Sequence, residues 1–145
     1  MAEISDVIGV WRLRAFYLED PQTGKRFDPY GADPSGTLIL HPGGRMAAVA
    51  TPSNQVRPKS DAELADAFRR MIAYSGRYRL EPPDRFVTTV DTAWFQPWVG
   101  TEQARTFRLD GDNLHITAAP AKTPHTGDAL VVGVLSWVRE GASTS

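Results

Sequence analysis

The sequence contains no cysteine, and its three histidines, His41, His115 and His125, are far apart. The chain therefore has no disulfide framework, no thiolate metal ligand and no cysteine nucleophile. Because the histidines show none of the short spacings that zinc sites use, we predict no metal site. A glycine-rich phosphate loop and a dinucleotide-binding motif are also missing, so we expect no nucleotide or other cofactor.

An excess of charge of one sign is missing as well, since 16 basic residues balance 17 acidic ones to a net charge of −1. Nucleic-acid binding is therefore not expected, because phosphate backbones select a positive surface. No run of 18 apolar residues occurs, which argues against a membrane partner. The first residues lack the pattern of a secretory signal, and this predicts a cytoplasmic protein. A length of 145 residues predicts one domain over 1–140 and a loose tail over 141–145.

Short segments with strand-like patterns make up most of the chain. Brief turns rich in glycine, proline and aspartate separate most of them, which indicates antiparallel neighbours. Eight such strands predict an all-β fold, namely a closed antiparallel up-and-down barrel, with a two-sheet sandwich as the alternative. The predicted strands are Gly9–Glu19, Gly36–His41, Arg45–Thr51, Tyr74–Leu80, Arg85–Ala93, Val99–Leu109, Asn113–Ala118 and Ala129–Arg139.

One amphipathic helix is predicted over Ser60–Ala73, between the third and fourth strands. Its first residues form a capping box, in which Ser60 and Glu63 satisfy free backbone N–H groups. An apolar stripe follows at helical spacing and includes Leu64, Phe68 and Ile72. We expect this stripe to turn inward across one opening of the barrel, so that Phe68 reaches a ligand.

Alternation along the strands predicts which side chains face the interior. On Val99–Leu109, Gln103 and Arg105 share a face with the apolar Phe107. On Tyr74–Leu80, the two tyrosines Tyr74 and Tyr78 share the inner face. Each tyrosine is either a core aromatic with its hydroxyl bonded to the backbone or a ligand contact. An interior that mixes aromatic, amide and guanidinium groups is typical of a cavity.

An inward Arg105 needs a partner, because an unpaired buried charge is costly. Asp91 is the natural partner if its strand turns that residue inward, either as a structural ion pair or as a general base beside an arginine that orients a ligand. The strand Arg85–Ala93 allows both orientations. The inward sets are Val87, Thr89 and Asp91, or Phe86, Thr88, Val90 and Thr92.

Aromatic residues gather where one strand ends and the next begins. Trp94, Phe95 and Trp98 either fill the core or form a gate at the mouth of the barrel. At the other end of the fold, Trp11 and Arg139 lie near the ends of the first and last strands. We expect the guanidinium to stack on the indole, since a cation is attracted to an aromatic face.

Gly9-Val10-Trp11 and three further motifs carry a resemblance to a known family. The three are Ser35–Leu40 with Pro42–Met46, Ala73–Tyr78, and Trp98–Gln103. In this order they resemble the small bacterial and fungal lipocalin-like domain family over essentially the whole chain. The resemblance implies a small barrel with a ligand cavity, closed at one end by the first-strand tryptophan and the last-strand arginine. The sequence departs from the usual pattern of that family at Thr88, Thr89 and Asp91, where relatives often carry histidines and a glutamate.

Two functions follow from the resemblance and the inward residues. One is a barrel that binds a small, partly apolar molecule of aromatic or polyketide type. The alternative is a cofactor-independent cyclase, isomerase or dehydratase of secondary metabolism, with Asp91, Arg105 and Tyr78 as catalytic residues. A small molecule is the expected partner, and a second copy of the chain remains open. The candidate ligand-binding residues are Phe68, Tyr74, Tyr78, Trp94, Trp98, Gln103 and Arg105.

Overall fold

The protein is described by a computed structural model that covers residues 3–122 and 130–141. Within these residues, ten strands and two α-helices follow one another. The predicted tail lies outside the described residues, except for Gly141. The strands are β1 (Gly9–Glu19), β2 (Arg26–Phe27), β3 (Ser35–Leu40), β4 (Arg45–Thr51), β5 (Ile72–Glu81), β6 (Arg85–Ala93), β7 (Glu102–Asp110), β8 (Asn113–Ala118), β9 (Ala121–Lys122) and β10 (Leu130–Arg139).

Eight of these strands form a closed antiparallel barrel, in the order β1-β3-β4-β5-β6-β7-β8-β10. The first strand closes it, because Trp11 lies opposite Leu38 of β3 on one side and opposite Arg139 of β10 on the other. The two-residue strands β2 and β9 add to β1 and β10. The predicted closed barrel is therefore confirmed, and the sandwich is excluded.

The helices are α1 (Ile4–Val7) and α2 (Asp61–Arg70). As predicted, α2 lies between the strands Arg45–Thr51 and β5, and the Ser60 hydroxyl caps it by accepting the backbone N–H of Glu63 at 3.1 Å. The helix ends earlier than Ala73 because Met71 is extended and β5 begins at the next residue. Among the described residues, no helix has the length and apolar character needed to cross a membrane.

The predicted inward stripe of the helix is wrong. Leu64 is 56% exposed and Phe68 is 47% exposed, and α2 has no buried residue. The stripe is divided by the early end of the helix, since Ile72 belongs to β5 and lines the interior of the barrel. The helical part of the stripe stays outside.

One end of the barrel is closed by α1 and Trp11. The indole is fully buried and donates from Nε1 to the carbonyl of Val7 at 2.9 Å. The Arg139 guanidinium lies 4.3 Å from the indole centre and donates to the carbonyls of Ile8 and Asp6 at 3.0 and 2.9 Å. The expected stacking of Arg139 on Trp11 is confirmed.

Candidate functional site

A cavity of about 80 Å³ occupies the interior of the barrel toward the end opposite α1. Most of its wall is apolar, and the polar groups come from β6 and β7. The described lining residues are Leu38, Met46, Ala48, Ala50, Ile72, Tyr74, Phe86, Thr88, Trp98, Gln103, Arg105, Ile116, Leu135 and Trp137.

Gln103 and Arg105 lie on the cavity wall, on the face that the alternation along β7 predicts. Arg105 donates from Nη2 to the Gln103 side-chain oxygen and from Nη1 to the backbone carbonyl of Ala104, each at 3.0 Å. The Gln103 amide in turn donates to the hydroxyl of Thr101 at 2.9 Å. Thr88 lies directly opposite Gln103 on β6. These contacts make a polar strip of Thr88, Gln103 and Arg105.

The charge of Arg105 is surrounded by neutral groups in the described part of the chain. Burial lowers the pKa of Arg105 below its usual value, and nearby Tyr74 opposes that shift in part. Burial also raises the pKa of the Tyr74 phenol, an effect that the Arg105 charge reduces. Because its pKa is raised, Tyr74 stays neutral at ordinary pH, and within residues 3–122 and 130–141 no carboxylate pairs with Arg105.

The predicted pairing of Asp91 with Arg105 is wrong. Asp91 lies on the outer surface, where its carboxylate accepts a hydrogen bond from Arg45 at 2.7 Å and both side chains are about half exposed. The Arg45 guanidinium holds the pKa of Asp91 below its usual range. Hence Asp91 has no access to the cavity.

A β-bulge explains this placement. Ser75 of β5 lies opposite Thr92, whereas the next residue, Gly76, lies opposite Val90. Asp91 is therefore the extra residue of β6, and it interrupts the alternation. Phe86, Thr88 and Val90 are buried as in the second predicted orientation, but Asp91 and Thr92 are both exposed. Neither orientation holds along the whole strand.

The two candidate tyrosines occupy different depths. Tyr74 lines the cavity, and its ring centre lies 5.1 Å from the ring centre of Trp98 in an edge-to-face arrangement. Tyr78 is buried in the core below, where its hydroxyl donates to the carbonyl of His41 at 2.9 Å and its ring stacks on Phe86. The structure therefore brings Tyr74 to the cavity and leaves Tyr78 outside it.

The mouth of the cavity carries the predicted aromatic cluster. Trp98, in a 3-10 turn (Gln96–Trp98), lines the cavity, and its ring centre lies 5.1 Å from the ring centre of Trp94. Trp94 donates from Nε1 to the backbone carbonyl of Phe68 at 3.1 Å. Trp94 and Phe68 are not among the lining residues, so their contribution is to fix α2 beside the mouth.

The sequence profile of the lipocalin-like domain matches residues 8–140. The chain belongs to the lipocalin-like domain family. A curated relative, the 4'-hydroxy-3'-methoxypropiophenone carrier protein ppsC of Aspergillus oryzae, is 34% identical over 67 residues. That match covers 40% of this chain and only 59% of the relative's length.

Among solved structures, a mutant of the fluorescent protein UnaG aligns with this lipocalin-like domain at a TM-score of 0.43. The two are 13% identical in sequence, and the alignment covers 97% of this chain and 99% of the other.

The candidate set misses the apolar lining residues of this lipocalin-like domain and two lining residues with polar atoms, Thr88 and Trp137. The Thr88 hydroxyl and the Trp137 indole N–H are buried and have no hydrogen-bond partner within residues 3–122 and 130–141. From the sequence, Thr88 was predicted to face inward in only one of the two possible orientations of its strand. A clearer signal was the pair Ala48 and Ala50, since small side chains at alternate positions of one strand leave space inside a barrel.

Replacing Thr88 by valine should raise the free energy of unfolding by about 1 kcal/mol, because it removes a buried hydroxyl without a described partner. Urea denaturation would measure the change. Thr89→Val is the matched control, since Thr89 is the exposed neighbour on the same strand and should stay within about 0.5 kcal/mol of wild type. A loss of stability in Thr88→Val would show that the hydroxyl is satisfied.

Proposed function

We propose that this domain binds a small, partly apolar aromatic molecule in its central cavity and acts as a carrier. The observation that supports this most is the cavity itself, which combines an apolar wall with the polar strip of Thr88, Gln103 and Arg105. Binding sites for small molecules commonly have this division between apolar lining and a few polar groups. The name of the curated relative, a carrier of an aromatic ketone, agrees with such a ligand.

The size of the cavity limits the ligand to about one ring, and even one ring needs a side chain to move. A cavity of roughly 150 Å³ holds benzene in an engineered protein core, whereas the cavity here measures about 80 Å³. A ring-sized ligand therefore has to displace side chains at the mouth. Trp98 is the large lining residue outside the strands, so it is the side chain we expect to move.

Binding is better supported than catalysis. Among the described lining residues there is no carboxylate and no imidazole to act as a general base. Of the three candidate catalytic residues, only Arg105 is at the cavity, because Asp91 pairs with Arg45 outside and Tyr78 is in the core. Among the described lining residues, the enzyme alternative thus keeps the orienting group Arg105 without a carboxylate or imidazole base. A cytoplasmic location and the lack of a nucleic-acid partner remain predictions from the sequence.

Filling the cavity tests the binding site. Ala48→Leu adds three carbon atoms to a buried lining position, so we expect it to weaken binding at least about tenfold while the barrel stays folded. The ligands are propiophenones and benzoates with 4-hydroxy or 4-methoxy groups. Calorimetry and tryptophan fluorescence would report binding, with wild-type dissociation constants in the micromolar range, about −8 kcal/mol.

The matched control is Ala47→Leu, which adds the same atoms on the next residue of β4, outside the cavity lining. It should bind like wild type. Wild-type protein that binds none of these compounds would refute the proposal, and so would Ala48→Leu protein with unchanged affinity.

A further inference from the structure

Arg105 is the one charged side chain among the described residues of the cavity wall. Its two hydrogen bonds there use neutral acceptors, the Ala104 carbonyl and the Gln103 amide oxygen. A partly buried guanidinium with neutral partners favours an incoming anion, since a charge-assisted hydrogen bond is stronger than a neutral one. Tyr74 does not supply that anion, because burial raises the pKa of its phenol.

The other unsatisfied groups of the cavity are also hydrogen-bond donors. Thr88 has a hydroxyl without a described partner on β6, and Trp137 has an indole N–H, which only donates, on β10. The Gln103 amide oxygen accepts a hydrogen bond from Arg105, and its amide nitrogen donates one to Thr101. The described part of the cavity wall thus offers unpartnered donors and a positive charge, and it contains no carboxylate to match them.

The apolar part of the wall limits what kind of anion fits. Leu38 of β3 and the residues Met46, Ala48 and Ala50 of β4 line the cavity with no polar side-chain group. In the barrel order, the pair β6–β7 stands across from β1 and β3, so the polar strip faces apolar strands. A flat ring with oxygen substituents on one edge satisfies both sides.

Resting on the proposed binding function, we propose that the ligand is an aromatic anion, whose ionised oxygen is held by Arg105 and whose ring lies against the β3–β4 wall. A second oxygen on the ring accepts from Thr88 or Trp137. The anion is a carboxylate or the ionised form of an acidic phenol, which share the same contact with the guanidinium.

The test compares matched probes by calorimetry on the wild-type protein. The first pair is 4-methoxybenzoate against the neutral 4-methoxybenzamide. The second pair is 4'-hydroxypropiophenone, at a pH that ionises its phenol, against 4'-methoxypropiophenone. We expect the anion of at least one pair to bind about 10- to 100-fold more tightly, the range of one charge-assisted hydrogen bond. The pair that shows the preference identifies carboxylate or phenolate as the source of the charge.

Variants then assign the preference to Arg105. Arg105→Met should bring the anion to the affinity of its neutral partner, so that the ratio of the two dissociation constants falls to about one. Arg108→Met is the matched control, because Arg108 lies on the same strand with an exposed side chain and should keep the full preference. Arg105→Lys retains the charge without the planar fork, so we expect it to keep part of the preference.

The outcomes separate this proposal from the binding function. If the wild-type protein binds anionic and neutral probes equally, the proposal of an anionic ligand is wrong, while the proposed binding function is unaffected. If the wild-type protein binds none of the probes, the proposed binding function is wrong. Because the first comparison uses only wild-type protein, it decides the question even if Arg105→Met does not fold. An unchanged preference in folded Arg105→Met protein also overturns the assignment.

Discussion

Replacing Trp11 by alanine is expected to lower the free energy of unfolding by about 3–5 kcal/mol, the range for deleting a large aromatic side chain from a core. The indole is 0% exposed and carries three roles at the closed end of the barrel. It fills the core, donates to the carbonyl of Val7, and supports the guanidinium of Arg139. Its removal also weakens the attachment of α1, because Arg139 donates to the carbonyls of Asp6 and Ile8.

Urea denaturation of Trp11→Ala and Trp11→Phe would separate these roles. Phenylalanine keeps an aromatic ring in place but loses the N–H bond to Val7, so we expect a smaller loss of about 1–2 kcal/mol. Trp94→Phe is a control at the other end, where the indole is only partly buried. A loss below about 1 kcal/mol in Trp11→Ala would contradict a core role for this residue.

The barrel could be predicted from the sequence, because turn signals bound most of the strands and most of them alternate in polarity. The same alternation correctly turned Tyr74, Gln103 and Arg105 to the interior. These predictions rest on local properties of the chain, namely a period of two and the residues that favour tight turns. They need no knowledge of distant contacts.

The position of a side chain along the barrel axis could not be predicted from alternation in the same way. Tyr74 and Tyr78 share a face, yet one lines the cavity and the other is packed in the core below it. Four residues of a strand span roughly 13 Å, which is enough to move a side chain from the cavity to the closed end. Alternation specifies the face of a strand, while the position of the cavity depends on how all eight strands pack.

The helix shows a second limit of prediction from the sequence. The stripe of Leu64 and Phe68 predicted a buried face, but both side chains are exposed. The helix ends at Arg70, and Ile72 pairs with Ala50 in the sheet. A helical pattern indicates that one face is apolar, and it does not indicate what covers that face. In this protein, the backbone carbonyl of Phe68 makes the contact with the mouth, through Trp94.

The bulge in β6 is the third limit and the reason for the error on Asp91. One extra residue shifts the alternation, so a single period of two cannot describe the strand. The structure accommodates the bulge opposite Gly76, where β5 and β6 approach closely. A glycine inside a strand indicates such a close approach, and Gly76 lies within the predicted strand Tyr74–Leu80.

Replacing Gly76 by alanine is therefore expected to cost about 3 kcal/mol, at the upper end of overpacking effects. A Cβ atom at this position would overlap the carbonyl oxygen of Thr89 and lie 2.9 Å from the Cα atom of Val90. Both are backbone atoms, so the two strands have to separate instead of a side chain turning away. Because Tyr74 and Thr88 line the cavity beside this contact, ligand affinity should fall together with stability.

Gly133→Ala is the matched control for that prediction. Gly133 also lies within a strand, but its added methyl group would meet only the Leu18 side chain at 3.6 Å and the Phe16 side chain at 3.9 Å, which are ordinary contact distances. It should leave stability unchanged or raise it by up to about 1 kcal/mol, because alanine loses less backbone entropy on folding than glycine. Urea denaturation and ligand titration of both variants decide the matter. If Gly76→Ala matches Gly133→Ala in both measurements, the close approach at the bulge does not control the fold or the cavity.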